Sequence, residues 1–137
     1  MNPSERVSVL QRGHAVLERV QDQWRAVVPD SLMPGQPPFE ELRTVDRLLA
    51  HLEYASGPER SDEAEVHWLD ATLSMVLSIE DASFLRAVVD GARTGLGPKL
   101  TLEEREVLIR LARLFDRYVA QEFMPPPSYF GISEREA

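Results

Sequence analysis

Along most of this 137-residue chain, apolar residues recur three and four positions apart. Between its breaks the chain nowhere shows the period-two alternation of a half-buried strand. Proline and glycine set the breaks: Pro29 to Pro38, then Ser56-Gly57-Pro58, then Thr94-Gly95-Leu96-Gly97-Pro98, and last Pro125-Pro126-Pro127. Each removes a backbone donor or offers a turn that a helix cannot absorb. The pattern therefore predicts five helices. The first opens at Asn2, where Asn caps, Pro3 fits the first turn and Glu5 completes a capping box. Its inward residues are Val7, Leu10, Leu17, Trp24 and Val28, flanked by Val9, Val16, Val20 and Val27. The second starts near Pro38 and turns Phe39, Leu42, Val45, Leu48, Leu49 and Leu52 inward.

The third helix, about 62–78, is apolar nearly all round. Val66, Leu69, Leu73, Val76 and Leu77 share one side, while Trp68, Met75, Ile79, Ala64 and Ala71 take the other. Only Glu63, His67, Asp70, Ser74 and Ser78 form a narrow polar strip. A helix of this kind sits at the centre of a bundle, or else presents a face, here Trp68 and Met75, to a second subunit. A fourth helix spans about 80–92, continuous with the third unless Ser78 to Asp81 breaks them apart. The capping box Thr101-Leu102-Glu103-Glu104 opens a fifth, read as running to about Phe123, with Val107, Leu108, Leu111, Leu114, Phe115, Tyr118 and Val119 buried. The predicted architecture is an all-α bundle over residues 1–124 with an extended proline and aromatic tail over 125–137. That much apolar surface on 15.5 kDa favours a homo-oligomer, most simply a two-fold dimer.

Composition narrows the function more by exclusion than by assignment. With no cysteine the chain has no disulfide, thiolate nucleophile or thiolate metal site. No stretch approaches the ~18 apolar residues of a membrane span, and the first residues lack the layout of a signal peptide, so the expected location is cytoplasmic. The formal net charge is −8, and residues 40–70 hold nine acids against three arginines. Such a surplus repels a phosphate backbone unless basic residues gather on one face. All basic residues but Lys99 are arginine, a bias common in GC-rich bacterial and phage genomes.

Arg110, Arg113 and Arg117 make such a gathering, an outward ridge of the fifth helix suited to acidic side chains or phosphates. Glu106 precedes Arg110 by four residues, the favourable order for a helical ion pair that would leave the ridge merely solvated. Glu63, His67 and Asp70 fall at i, i+4 and i+7, a spacing that could hold a divalent metal or poise the histidine as a base, given a further ligand. The serines form no nucleophile elbow, and neither a dinucleotide fingerprint nor a phosphate-binding loop is present, so no cofactor is expected. In the tail, Tyr129, Phe130 and Ile132 are anchors for the body of the protein or for a neighbour.

Leu100 to Ala112, reading Leu-Thr-Leu-Glu-Glu-Arg-Glu-Val-Leu-Ile-Arg-Leu-Ala, resembles the opening helix of LuxR-type and sigma-factor helix-turn-helix domains. That resemblance implies a short turn and two more helices, the last in the DNA major groove. Here the helical pattern continues through Phe115, Tyr118 and Phe123 to three prolines, and the likeness stops at 13 residues. The sequence reads best as a non-catalytic protein-binding or regulatory module, including an inhibitor whose acidic surface competes for a basic site. Its contact residues would be Trp68, Met75, Arg110, Arg113, Arg117, Tyr129 and Phe130. The alternatives are a DNA-binding or packaging-type protein using the arginine ridge, and a small enzyme using Glu63, His67 and Asp70.

Overall fold

A computed structural model of the chain describes residues 2–27, 39–54 and 63–123, the side chains of Val27, Phe39, Glu63 and Ala64 excepted. Among these residues there are five helices and no strand: α1 Pro3–Val27, α2 Phe39–Glu53, α3 Glu63–Val76, α4 Ile79–Thr94 and α5 Leu102–Val119. None is long and apolar enough to cross a membrane. The all-α bundle that the hydrophobic period predicts is therefore the observed fold, while the tail from Met124 onward lies outside the described residues.

The core is one continuous cluster. Leu10, Leu17 and Val20 of α1 meet Leu48 and Leu52 of α2, Leu69 and Leu73 of α3, Leu85 of α4, and Leu108, Leu111, Leu114 and Phe115 of α5. The hub is the α1–α5 pair, α5 packing on α1, α3 and α4 and α1 on α2, α3 and α5, and not α3 as an all-round apolar helix would suggest. A close approach of α1 to α5 is possible because Gly13 has no side chain: a Cβ there would stand 2.5 Å from Leu111 Cδ2.

α3 also turns its faces differently from the wheel reading. Asp70 and Ser74 of the supposed solvated strip are buried, whereas Trp68, Met75 and Ile79 stand 51, 74 and 70% exposed. Asp70 goes inward because partners await it there, as set out below.

The break between α3 and α4 is made by a carboxylate. Asp81 accepts the Ser78 backbone N–H at 2.8 Å and the Ser78 hydroxyl at 3.2 Å, so the Ser78 amide bonds forward and a new helix begins. Arg47 of α2 pairs with the same buried Asp81 and ties α2 to the head of α4. At the head of α5, Thr101 Oγ1 accepts from Glu104 N at 3.1 Å and Glu104 Oε1 accepts from Thr101 N at 2.8 Å, as the capping-box motif requires. Burial works against the Glu104 charge, but the Thr101 amide and the Arg19 guanidinium outweigh it and hold the carboxyl below its usual range.

α5 stops at Val119, four residues short of the expected Phe123. Gln121 adopts a left-handed conformation, φ 60°, and its amide returns to Tyr118 O while that of Glu122 returns to Arg117 O. This is a Schellman turn with glutamine in the place glycine usually takes. It turns the chain back, so that Phe123 packs on the body of the protein.

Candidate functional site: an arginine-rimmed groove beside α5

Two polar constellations emerge around α5, one inside and one outside. The inner one is a staple of three helices. Asp70 of α3 is fully buried. Its Oδ2 accepts from Arg6 Nη2 of α1 at 2.8 Å, and its Oδ1 accepts from the Tyr118 hydroxyl of α5 at 2.7 Å. Burial first, then the adjacent carboxylate, push the Tyr118 phenol far above the ordinary tyrosine range. The Arg6 guanidinium lies 4.4 Å over the Phe123 ring and that of Arg117 4.2 Å from the same ring, a double cation–π contact. Both Asp70 oxygens are thus engaged, and the carboxylate is no open ligand. Among the described residues no three His, Asp or Glu side chains gather as metal ligands. The spacing that singled out Glu63, His67 and Asp70 is about two turns of a helix whose Asp70 faces the core.

The outer constellation lies where α1 and α5 part towards solvent. They enclose a groove of about 480 Å³. Its floor is Val9, Val107 and Leu114. Its rim is Arg12 of α1 facing Arg110, Arg113 and Arg117 of α5, with Glu5 and Ser8 at the α1 edge. The three ridge arginines expected from the helical spacing do line one site. Arg12 completes it, and nothing in the sequence placed Arg12 opposite them, since that depends on how α1 crosses α5. A second groove of about 450 Å³ runs along the other flank of α5, over Val89, Leu102 and Ile109, with Arg105 and again Arg113 on its edge.

Charge pairing sets these grooves apart from the rest of the surface. Arg6, Arg19, Arg25, Arg43, Arg47, Arg86, Arg93 and Arg117 each have a carboxylate partner. Among the described residues Arg12, Arg105, Arg110 and Arg113 have none, and all four line the two grooves. The expected Glu106–Arg110 pair does not form. Arg105 is half-buried, with its Nε lacking an acceptor. Like charges three and four residues apart on one helix cost about 0.2–0.5 kcal/mol per pair. In a protein with eight surplus acids, those cations stand where an external anion can reach them.

The remaining expected contact residues divide. Trp68 and Met75 are exposed on α3, apart from the groove lining. Tyr129 and Phe130 lie outside the described residues. His14 is half-buried, with Glu18 3.0 Å from its Nδ1. No family model matches the chain, and no curated protein or solved structure shows significant similarity to it.

Proposed function

We propose that this chain is a non-catalytic protein-binding module, a small cytoplasmic regulator whose α1–α5 groove takes an acidic segment of another protein through apolar side chains flanked by carboxylates. The observation that carries the reading is the coincidence of unpaired arginines with an apolar floor: Arg12, Arg110 and Arg113 rim the groove over Val9, Val107 and Leu114. Apolar contacts of this kind supply affinity, and guanidiniums select carboxylates by forked hydrogen bonds. A nucleic-acid ligand fits less well. Among the described residues the groove lining holds no aromatic side chain on which a base could stack, and the net charge of −8 opposes a polyphosphate. Among the described lining residues Ser8 has no histidine beside it, which gives a catalytic role no support. A two-fold dimer through the exposed Trp68–Met75 arc belongs to the same reading, because self-pairing is how an isolated protein most simply covers such a patch.

The test uses a fluorescein-tagged helical peptide of Leu and Glu at i, i+4 spacing, its Leu and Lys counterpart, and a DNA duplex. Each is titrated with the full chain at about 0.15 M salt and followed by anisotropy. Saturable binding of the acidic peptide is expected, weakened about tenfold or more by Arg110→Glu/Arg113→Glu. Acidic-peptide binding untouched by that variant, or preference for the basic peptide, overturns the reading. Preference for DNA, lost in the same variant, replaces it with the DNA-binding alternative.

A further inference from the structure

The groove opens beside the point at which the described chain ends, and the residues that follow match it in chemistry. Arg117 belongs both to the rim and to the Phe123 contact, so the Schellman turn at Gln121 delivers the chain to the groove's own end. Residues 124–137 read Met-Pro-Pro-Pro-Ser-Tyr-Phe-Gly-Ile-Ser-Glu-Arg-Glu-Ala. In an extended backbone alternate side chains share a side. Phe130, Ile132, Glu134 and Glu136 then form one face, two apolar groups followed by two carboxylates, with Arg135 on the other. That order is the order of the groove, an apolar floor with arginines around it.

Reach is not limiting. The groove runs from Arg117 to Val107 along α5, ten residues or about 15 Å at the helical rise. Seven residues from Phe123 to Phe130 span up to about 23 Å. From Phe130 to Glu134 an extended chain advances about 13 Å, close to the ~10 Å of helix between Leu114 and Val107. Three prolines lower the entropy lost on docking, and the tether raises the local concentration to the millimolar range, so a weak contact suffices. The competing apolar surface, Trp68 and Met75, lies on α3, whose residues 63–76 include no lysine or arginine to receive the glutamates.

We propose that residues 124–137 dock into the α1–α5 groove of their own chain, Phe130 and Ile132 on Val9, Val107 and Leu114, Glu134 and Glu136 among Arg12, Arg110 and Arg113. The tail is then an internal competitor of the acidic partner, and the groove opens to that partner only as the tail leaves. This regulation rests on the protein-binding reading, whereas the docking itself does not.

The chain has no cysteine, so Ala137→Cys gives a single attachment point for a nitroxide on the full chain. Paramagnetic broadening of backbone amides is expected at Ser8–Arg12 and Val107–Arg113, and its loss in Glu134→Lys/Glu136→Lys. Absence of broadening, or broadening centred on 68–79, overturns the proposal. So does equal broadening in a mixture of tagged unlabelled and untagged isotope-labelled chains, which would mean a second copy supplies the tail. The acidic peptide separates this proposal from the one it rests on. It should bind Glu134→Lys/Glu136→Lys about tenfold more tightly than wild type if the tail holds about nine-tenths of molecules closed. Equal affinity refutes tail competition and leaves the module standing. Confirmed broadening, with no peptide binding even to the variant, refutes the module and leaves the docked tail.

Discussion

Removing the carboxylate at the centre of the staple, by Asp70→Ala, should be among the most damaging single changes in this protein. Asp70 is fully buried, the Arg6 side chain is 8% exposed, and Tyr118 is fully buried. The variant would therefore remove the buried carboxylate that Arg6 and Tyr118 share. Breaking a buried pair from one side costs about 3–5 kcal/mol. The Phe123 ring at 4.4 Å from Arg6 offsets part of this, since a desolvated cation–π contact is worth about 2 kcal/mol. The Tyr118 hydroxyl also loses its acceptor, another ~1–3 kcal/mol. A net loss of about 4 kcal/mol is expected, a large share of the ~5–15 kcal/mol by which domains are stable. Tyr118→Phe should cost only about 2 kcal/mol, because Asp70 keeps Arg6. The double variant should cost little more than Asp70→Ala alone, as the hydroxyl has already lost its partner. Urea unfolding followed by the fluorescence of buried Trp24 measures all three. If Asp70→Ala stays within about 1 kcal/mol of wild type, or the two losses simply add, the staple does not hold the bundle together.

Three more expectations come from the same packing. Leu73→Asp should unfold the protein while Met75→Asp, two residues on and 74% exposed, leaves its thermal midpoint nearly unchanged; equal effects would place α3 the other way round. The stability that Tyr118 contributes through its raised phenol pKa is complete below its unfolded value of about 10 and falls above it, by up to about 1.4 kcal/mol per pH unit, as the unfolded chain ionises first. Alkaline denaturation should be shallower in Tyr118→Phe, and an identical slope would show that the phenol is open to water. Gln121→Gly should raise stability by about 1 kcal/mol in urea, by relieving a left-handed glutamine, and a loss would mean that the Schellman turn is not populated.

What could be read along the chain was whatever depends on neighbours within a turn or two. Four of the five helices show their buried face in their own spacing: Val45, Leu48, Leu49 and Leu52 in α2, or Leu108, Leu111, Phe115 and Tyr118 in α5, lie where the period places them. The Thr101–Glu104 cap closes over three residues and was legible for that reason. The ridge of Arg110, Arg113 and Arg117 was likewise visible, because one helix carries all three. α3 shows where local reasoning stops. A helix apolar on nearly every side has no amphipathic direction, so its orientation follows from distant partners. Arg6, 64 residues before Asp70, and Tyr118, 48 after it, draw that carboxylate inward and leave Trp68 and Met75 outside. The candidate site has the same origin. Whether a ridge of arginines is a solvated face or the rim of a groove depends on α1 approaching α5 through Gly13, setting Arg12 opposite Arg110 and Arg113, none of which has a carboxylate partner among the described residues. Periodicity records which residues one helix offers; only the crossing of two helices, set by side-chain volumes far apart in the chain, decides what they enclose.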